Sequence, residues 1–338
     1  MSTLAHYLPD IWAAIIAFAV LTYVVLDGFD LGVGIMFPFL GSDDNRTRAM
    51  NSVAPVWDGN ETWLVMGGGG LLAVFPLAYG VILNALYVPL IVMLLALAFR
   101  GVAFEFRGKT RRWRPLWDKA FFGGSLVATL AQGAVLGGLL QGPSVTGRTF
   151  SGGPLDWLSW FSLGTALALV AGYVMLGAAW IVLKTSDDLY DRARRFGEKA
   201  LLITLVFILL ASLATPFLNP EYFRRWFAFP GILLSALVPL LLLLCGYGYW
   251  WAIRSDRGLV AYLSGIGIFI LSFIGLGLSI FPYIVPTSIT IREAASGAAS
   301  QMFVFVGAVI FLPIILSYTA YAYWVFRGKT SEHDHHHY

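Results

Sequence analysis

Residues 62–99 read TWLVMGGGGLLAVFPLAYGVILNALYVPLIVMLLALAF, 38 residues without a charged side chain, bounded by Glu61 and Arg100. A helix needs about 20 apolar residues to cross a bilayer's hydrocarbon core, so this run is too long for one span and suits two. The turn-forming Phe75-Pro76-Leu77-Ala78-Tyr79-Gly80 divides it into two helices joined by a short hairpin. Working outward, further charge-free runs cover 11–26, 120–147, 157–183, 200–220, 226–253, 258–291 and 294–326. Across 338 residues, 58% are hydrophobic and 12% are charged, which cannot clothe a water-soluble surface and excludes secreted, nucleic-acid-binding and disordered classes. The chain reads as an all-α integral membrane protein, a single polytopic membrane domain over 1–338, with a flexible His-rich tail at 330–338.

The runs predict nine transmembrane helices, at 9–40, 51–75, 79–106, 116–141, 157–183, 193–217, 228–253, 258–281 and 299–326, arranged as two four-helix bundles plus one peripheral helix. Lys and Arg test this order, because basic residues gather in cytosolic connections. Eighteen of the 22 fall in 41–50, 100–119, 184–199, 254–258 and the C-terminal tail; Arg148, Arg224, Arg225 and Arg292 fall in the intervening connections. The expected topology therefore has the N-terminus outside and the C-terminus cytosolic. The N-terminal MSTLAHYLPD has no basic n-region and is expected to be a retained helix rather than a signal peptide.

Only four acids lie well inside predicted spans: Asp27 and Asp30 in the first, Asp58 and Glu61 in the second. A carboxylate in hydrocarbon costs several kcal/mol unless it is protonated, paired or hydrated, so each is a candidate functional group. The i, i+3 spacing puts both members of each pair toward one face of their helix. At about 1.5 Å per residue, Asp30 and Glu61 both sit about 15 Å from the cytosolic helix ends, with Asp58 shallower and Asp27 deeper. This is a ladder of carboxyl groups leading inward from the cytosol. Arg100, at similar depth to Asp58, is the obvious charge partner, and pairing and proton conduction are compatible. Glu105 and Arg107 are expected at the interface. Gly28 and Gly32, with Gly67 and Gly68 in the run of four, are expected to let helices pack closely. Trp57 and Trp63 flank the acidic pairs.

His6 is near the outer terminus, and His333, His335, His336 and His337 are in the tail, which leaves no histidine in any span and makes the chain a poor haem carrier. The lone Cys245 sits in an apolar run as a buried thiol. No nucleophile-base constellation or zinc pattern is present, and no metal site is expected. From the residues alone, a proton- or cation-coupled membrane transporter is the alternative to a proton-delivering subunit, and a bare scaffold would leave the four carboxylates unexplained.

Two motifs decide between these readings: Asp27-Gly28-Phe29-Asp30-Leu31-Gly32-Val33-Gly34, and Asn51-Ser52-Val53-Ala54-Pro55-Val56-Trp57-Asp58-Gly59-Asn60-Glu61-Thr62-Trp63. With Phe99-Arg100, Phe104-Glu105-Phe106-Arg107, Phe281-Pro282-Tyr283, Pro286-Thr287-Ser288 and the run 313–320, they resemble subunit II of the cytochrome bd-type quinol oxidases across nearly the whole chain. The short loops look like the compact, cyanide-insensitive branch. The resemblance implies a haem-free subunit in the bacterial inner membrane, paired with a subunit I that carries haem b and, in many members, haem d. That partner oxidises quinol and reduces oxygen to water. A small single-helix accessory subunit, membrane lipid and a structural ubiquinone are further expected partners or ligands, and nucleic acid is not. At matching positions the resemblance assigns Asp58 to a proton path from the cytosol and Trp63 to an apolar oxygen entrance at the lipid face. Asp30 and Arg100 fall to proton handling or pairing, and Glu61 is Glu or Gln in the family.

Overall fold

A computed structural model describes residues 2–229 and 231–329; the tail expected over 330–338 lies outside the described residues. The first helix, α1, covers Ser2–Met36 and passes into a 3-10 turn at Phe37–Phe39. Ser42 then caps α2 (Asp43–Val53) by accepting from the Asn45 backbone N–H. The single helix expected over 51–75 does not form. Pro55 has no N–H to continue the helical ladder, the chain turns at 54–56, and α3 begins afresh at Trp57–Val74. Pro76 opens α4 (Pro76–Arg107), which is kinked at Leu86 just ahead of Pro89. α5 (Arg114–Gln141) stops at Gly142, whose φ of 83° favours glycine.

The second half holds α6 (Trp160–Lys184), started by a Ser159–Ser162 capping box, and α7 (Asp187–Leu218). The short α8 (Pro220–Phe227), α9 (Gly231–Arg254) and α10 (Gly258–Ile280) follow, then α11 (Ile291–Ala294) and α12 (Ala298–Val325). Two small antiparallel hairpins interrupt the all-α expectation: β1 (Val145–Thr146) with β2 (Thr149–Phe150), and β3 (Tyr283–Val285) with β4 (Ile289–Thr290). Among the described residues eight helices are long and apolar enough to cross a membrane. α3 is not one of them, because 18 residues carrying Asp58 and Glu61 are too polar on average, so length and composition alone do not reach the expected nine.

α1, α3, α4 and α5 pack in a ring, as do α6, α7, α9 and α10, and the rings meet where α1 and α5 lie on α6. The seam needs glycine. A Cβ on Gly32 would stand 1.8 Å from the Tyr173 carbonyl oxygen, and one on Gly177 would stand 2.6 Å from the Gly32 carbonyl carbon, so the α1 and α6 backbones touch there. α12 lies outside both rings against α1 and α3, with only 6% of its apolar window buried. Its outward Phe303, Val306, Ile310 and Phe311, like Leu240, Leu243 and Leu244 of α9, are exposed, as a surface solvated by lipid tails requires.

Candidate functional site

Arg100 of α4 is fully buried and faces three carboxylates from two other helices. Its Nη1 donates to Glu61 Oε1 at 2.6 Å, its Nη2 to Asp27 Oδ1 at 3.1 Å, and the same Nη2 lies 3.7 Å from Asp30 Oδ2. The guanidinium also sits over the stacked rings of Trp57 and Phe104, 5.4 and 5.1 Å from their centroids. Asp30 has a second donor: Asn60 Nδ2 reaches its Oδ2 at 2.7 Å, while Asn60 Oδ1 accepts from the Tyr323 hydroxyl at 2.9 Å. A helix otherwise peripheral, α12, is thereby tied into the centre of the site.

The charge balance is the chemical content of this arrangement. One guanidinium cannot neutralise three carboxylates in a dry setting, and like charges this close do not all ionise. Asp27 Oδ2 and Asp30 Oδ1 are buried with no hydrogen-bond partner among the described residues, which leaves each able to take a proton or a water. Such an arrangement is chemically able to hold a proton beside a fixed cation.

The expected ladder is assembled differently from its drawing in sequence. Asp27, Asp30, Glu61 and Arg100 converge, but Asp58 does not join them. Three residues advance a helix by about 300°, so an i, i+3 pair is offset by about 60°. That offset leaves Asp58 exposed on an open face of α3, with Gly59, Val65, Gly68 and Gly69, while Glu61 turns toward Arg100 and keeps 25% of its side chain accessible. A Cβ on Gly28 would stand 2.6 Å from the Tyr173 ring, so α1 and α6 approach closely there too. Gly67 is buried against α1, where a Cβ would stand 3.2 Å from Val20 Cγ2, whereas Gly68 meets nothing within 4 Å in this chain, which corrects the packing expected of it.

Trp63 also needs correction. It is 2% exposed, edge-on to Phe18 with centroids 5.8 Å apart, and packed with Ala19, Tyr23 and Leu312, so it does not open onto lipid. Arg107 is a buried clamp rather than a loose interfacial charge: it bonds Asp118 at 2.6 Å, Asp43 at 2.9 Å and the Thr47 hydroxyl at 3.0 Å. Sequence reading also passed over Asn60 and Tyr323, although Asn60 stands inside the motif between Asp58 and Trp63. The signal was there, since Asn60, Trp63 and Gly67 repeat at i, i+3, i+7 and mark the buried face of α3.

As for metal or haem ligands, the one described histidine, His6, is exposed beside Arg292, and Cys245 packs in an apolar setting near Gly267. Among the described residues no three His, Cys, Asp or Glu side chains group as a metal site.

The comparisons with known proteins agree with one another. The family model described as cytochrome bd terminal oxidase subunit II matches residues 8–326. The chain is 31% identical to cytochrome bd-I ubiquinol oxidase subunit 2 of Escherichia coli K12, covering 96% of this chain and 95% of that one. It is 29% identical to cytochrome bd ubiquinol oxidase subunit 2 of Bacillus subtilis, covering 97% and 98%. Its fold is similar to a chain of the bd oxidase structure from Geobacillus thermodenitrificans, with a TM-score of 0.75 at 18% identity, over 94% of this chain and 98% of that one.

Proposed function

This chain belongs to the cytochrome bd terminal oxidase subunit II family, and on that premise we propose that it is the haem-free subunit of a quinol oxidase and supplies cytosolic protons to its partner. It is a multi-pass protein of the bacterial inner membrane and part of an oxidoreductase complex that contains haem. The partner in this reading is the haem-bearing subunit I, which oxidises quinol and reduces oxygen to water. Among the described residues the one histidine is exposed beside Arg292 and the one cysteine packs in an apolar setting, a donor set that does not fit haem.

The topology in this reading counts α3 as a ninth span, with the N-terminus outside and the C-terminus cytosolic. Eighteen helical residues reach about 27 Å, close to the thickness of the hydrocarbon core, and α1 and α4 cover the acids on one side. Asp58 then lies near the cytosolic end of α3, on the face left open for the partner. It takes a proton from the cytosolic side and passes it across that face. Glu61, one turn deeper and still partly accessible, links Asp58 to Arg100, Asp27 and Asp30. There the guanidinium sets the electrostatic balance under which a proton is held or released.

The observation that carries this reading is the single buried guanidinium among three carboxylates with two unpartnered oxygens, adjoining an acid on an open face. The test is Asp58→Asn in the purified complex. Quinol oxidase turnover falls by about tenfold or more, equivalent to about 1.4 kcal/mol on the barrier, at unchanged haem content. Turnover at the parental level, or loss of haem from the complex, overturns the proposal.

A further inference from the structure

Helix α12 is the least buried of the long helices, yet it is fastened at both ends. Near its start Trp12 Nε1 donates to the Gln301 carbonyl at 3.2 Å. Past its other end the Lys184 ammonium donates to the carbonyls of Phe326 and Gly328, and it lies 4.9 Å from the Trp180 ring centroid. One turn before Phe326, the half-buried Tyr323 reaches inward, edge-on to Phe29 and Trp180 with centroids 6.4 and 6.0 Å apart. The end of α12 that Lys184 holds is therefore the end that carries a hydroxyl into the Arg100 site, a task that the proton-supply reading leaves open.

Counting hydrogens fixes what that hydroxyl does. Tyr323 donates to Asn60 Oδ1 at 2.9 Å, and Asn60 Nδ2 donates to Asp30 Oδ2 at 2.7 Å and to the Leu26 carbonyl at 3.3 Å. The amide thus spends its oxygen on α12 and both its hydrogens on α1. Turned over, its oxygen would face the Leu26 carbonyl, which accepts and never donates, so the amide points one way whether Asp30 is charged or neutral. Arg100 Nη2 lies 3.7 Å from the same Asp30 Oδ2. Both groups that meet Oδ2 are donors, and a proton placed there would stand hydrogen against hydrogen. Oδ1 is buried with no partner among the described residues, and it is the oxygen left for the proton.

We propose that Asn60 and Tyr323 are positioning residues for a proton carried by Asp30: Tyr323 aims the Asn60 amide, the amide holds Oδ2 as a permanent acceptor, and the proton rides on Oδ1. Helix α12, at the rim of the molecule, thereby sets the orientation of a carboxyl at its centre. The role of Asp30 as a proton carrier rests on the proton-supply reading.

Tyr323→Phe keeps the ring and removes only the hydroxyl, while Asn60→Leu keeps the volume of the amide and removes its donors. In the haem-bearing complex, the redox-induced infrared difference spectrum of the parent holds a protonated-carboxyl band that Asp30→Asn removes. The band moves up in frequency in both variants, because its C=O is Oδ2 and that oxygen has lost its donor or holds it more loosely. Turnover falls about tenfold in Asn60→Leu and about threefold in Tyr323→Phe, the range expected when a hydrogen bond to an ionisable group is lost or loosened. Tyr323 acts through Asn60, so adding Tyr323→Phe to Asn60→Leu moves neither band nor turnover further. If Asn60→Leu yields no haem-bearing complex, Tyr323→Phe alone is decisive. A parent without the band, or a band that stays in place in Tyr323→Phe at normal haem content, overturns the assignment. Loss of haem in Tyr323→Phe also overturns it, since the hydroxyl is then an anchor of the fold. Asp58→Asn separates this from the parent reading. If that variant turns over normally while the band still moves in Tyr323→Phe, proton supply fails and the positioning of Asp30 stands. If it turns over slowly and the band does not move, the positioning role alone fails.

Discussion

Helix α4 carries two buried arginines seven residues apart, Arg100 and Arg107, and their surroundings differ in one respect that separates chemistry from architecture. Both are sealed from solvent, and both meet carboxylates from other elements. The acids around Arg107 are wet: the side chains of Asp43 and Asp118 are 47% and 16% exposed. Water stabilises those charges, so the clamp fastens α2 to α4 and α5 and nothing in it has to move. Asp27 and Asp30 beside Arg100 are dry, outnumber their cation together with Glu61, and leave oxygens unpartnered. Burial of an acid in excess of its cation creates a place for a proton, whereas burial of an arginine among solvated acids makes a joint.

Neutralising each arginine gives the largest contrast. Arg100→Gln strands three carboxylates in the interior, a loss of about 3–5 kcal/mol, and the yield of haem-bearing complex collapses. Arg107→Gln removes bonds to partly solvated acids, so the cost is about 1–2 kcal/mol. It lowers the Tm of the complex and leaves turnover per haem unchanged. Slower turnover in Arg107→Gln at normal haem content would break the distinction between the two sites.

A smaller effect comes from the backbone contact that keeps the Arg100 site closed. Gly32→Ala forces α1 off α6 and costs about 1–3 kcal/mol as overpacking, visible as a lower Tm. Gly164→Ala on α6, where a Cβ meets nothing within 4 Å, stays within about 0.5 kcal/mol of the parent. Equal losses in the two would mean that the close approach at Gly32 is not what holds the rings together.

The smallest effect belongs to a solvated acid outside the spans, Glu293. It accepts from the Thr290 backbone N–H and hydroxyl, both at 2.8 Å, and these bonds hold its carboxyl below the usual range. A depressed carboxyl contributes stability above its unfolded pKa and loses it as pH falls through the lower folded value. Hydrogen exchange over 289–294 therefore quickens in that acid range in the parent, and Glu293→Gln flattens the dependence. Turnover near neutral pH is untouched, as for any acid of the solvated kind.

Much of this contrast was legible in the chain before folding. Charge-free runs mark the spans, and four acids with Arg100 in otherwise apolar helices mark the site, because charge in hydrocarbon is too costly to be incidental. The missing parts are those made by neutral polar groups and by distant partners. Asn60 is unremarkable until Tyr323, 263 residues away, is seen to donate to it, and Gln132 is one amide in a glycine-rich helix until two tyrosines bracket it. Trp63 reads as a lipid-facing residue until Phe18 and Leu312 cover it. Helical periodicity gives the face of one helix, not which neighbour closes over it. The i, i+3 spacing promised a shared face for Asp58 and Glu61, yet an offset of about 60° sufficed to put one outside and the other at the arginine.

The central claim is that protons enter the oxidase from the cytosolic side through Asp58. The direct measurement is proton uptake from that side when reduced, haem-replete complex in oriented vesicles is exposed to oxygen, comparing the parent with Asp58→Asn. Uptake in the variant slows by at least the factor by which turnover falls, with haem spectra unchanged. Uptake at the parental rate from the cytosolic side would contradict it.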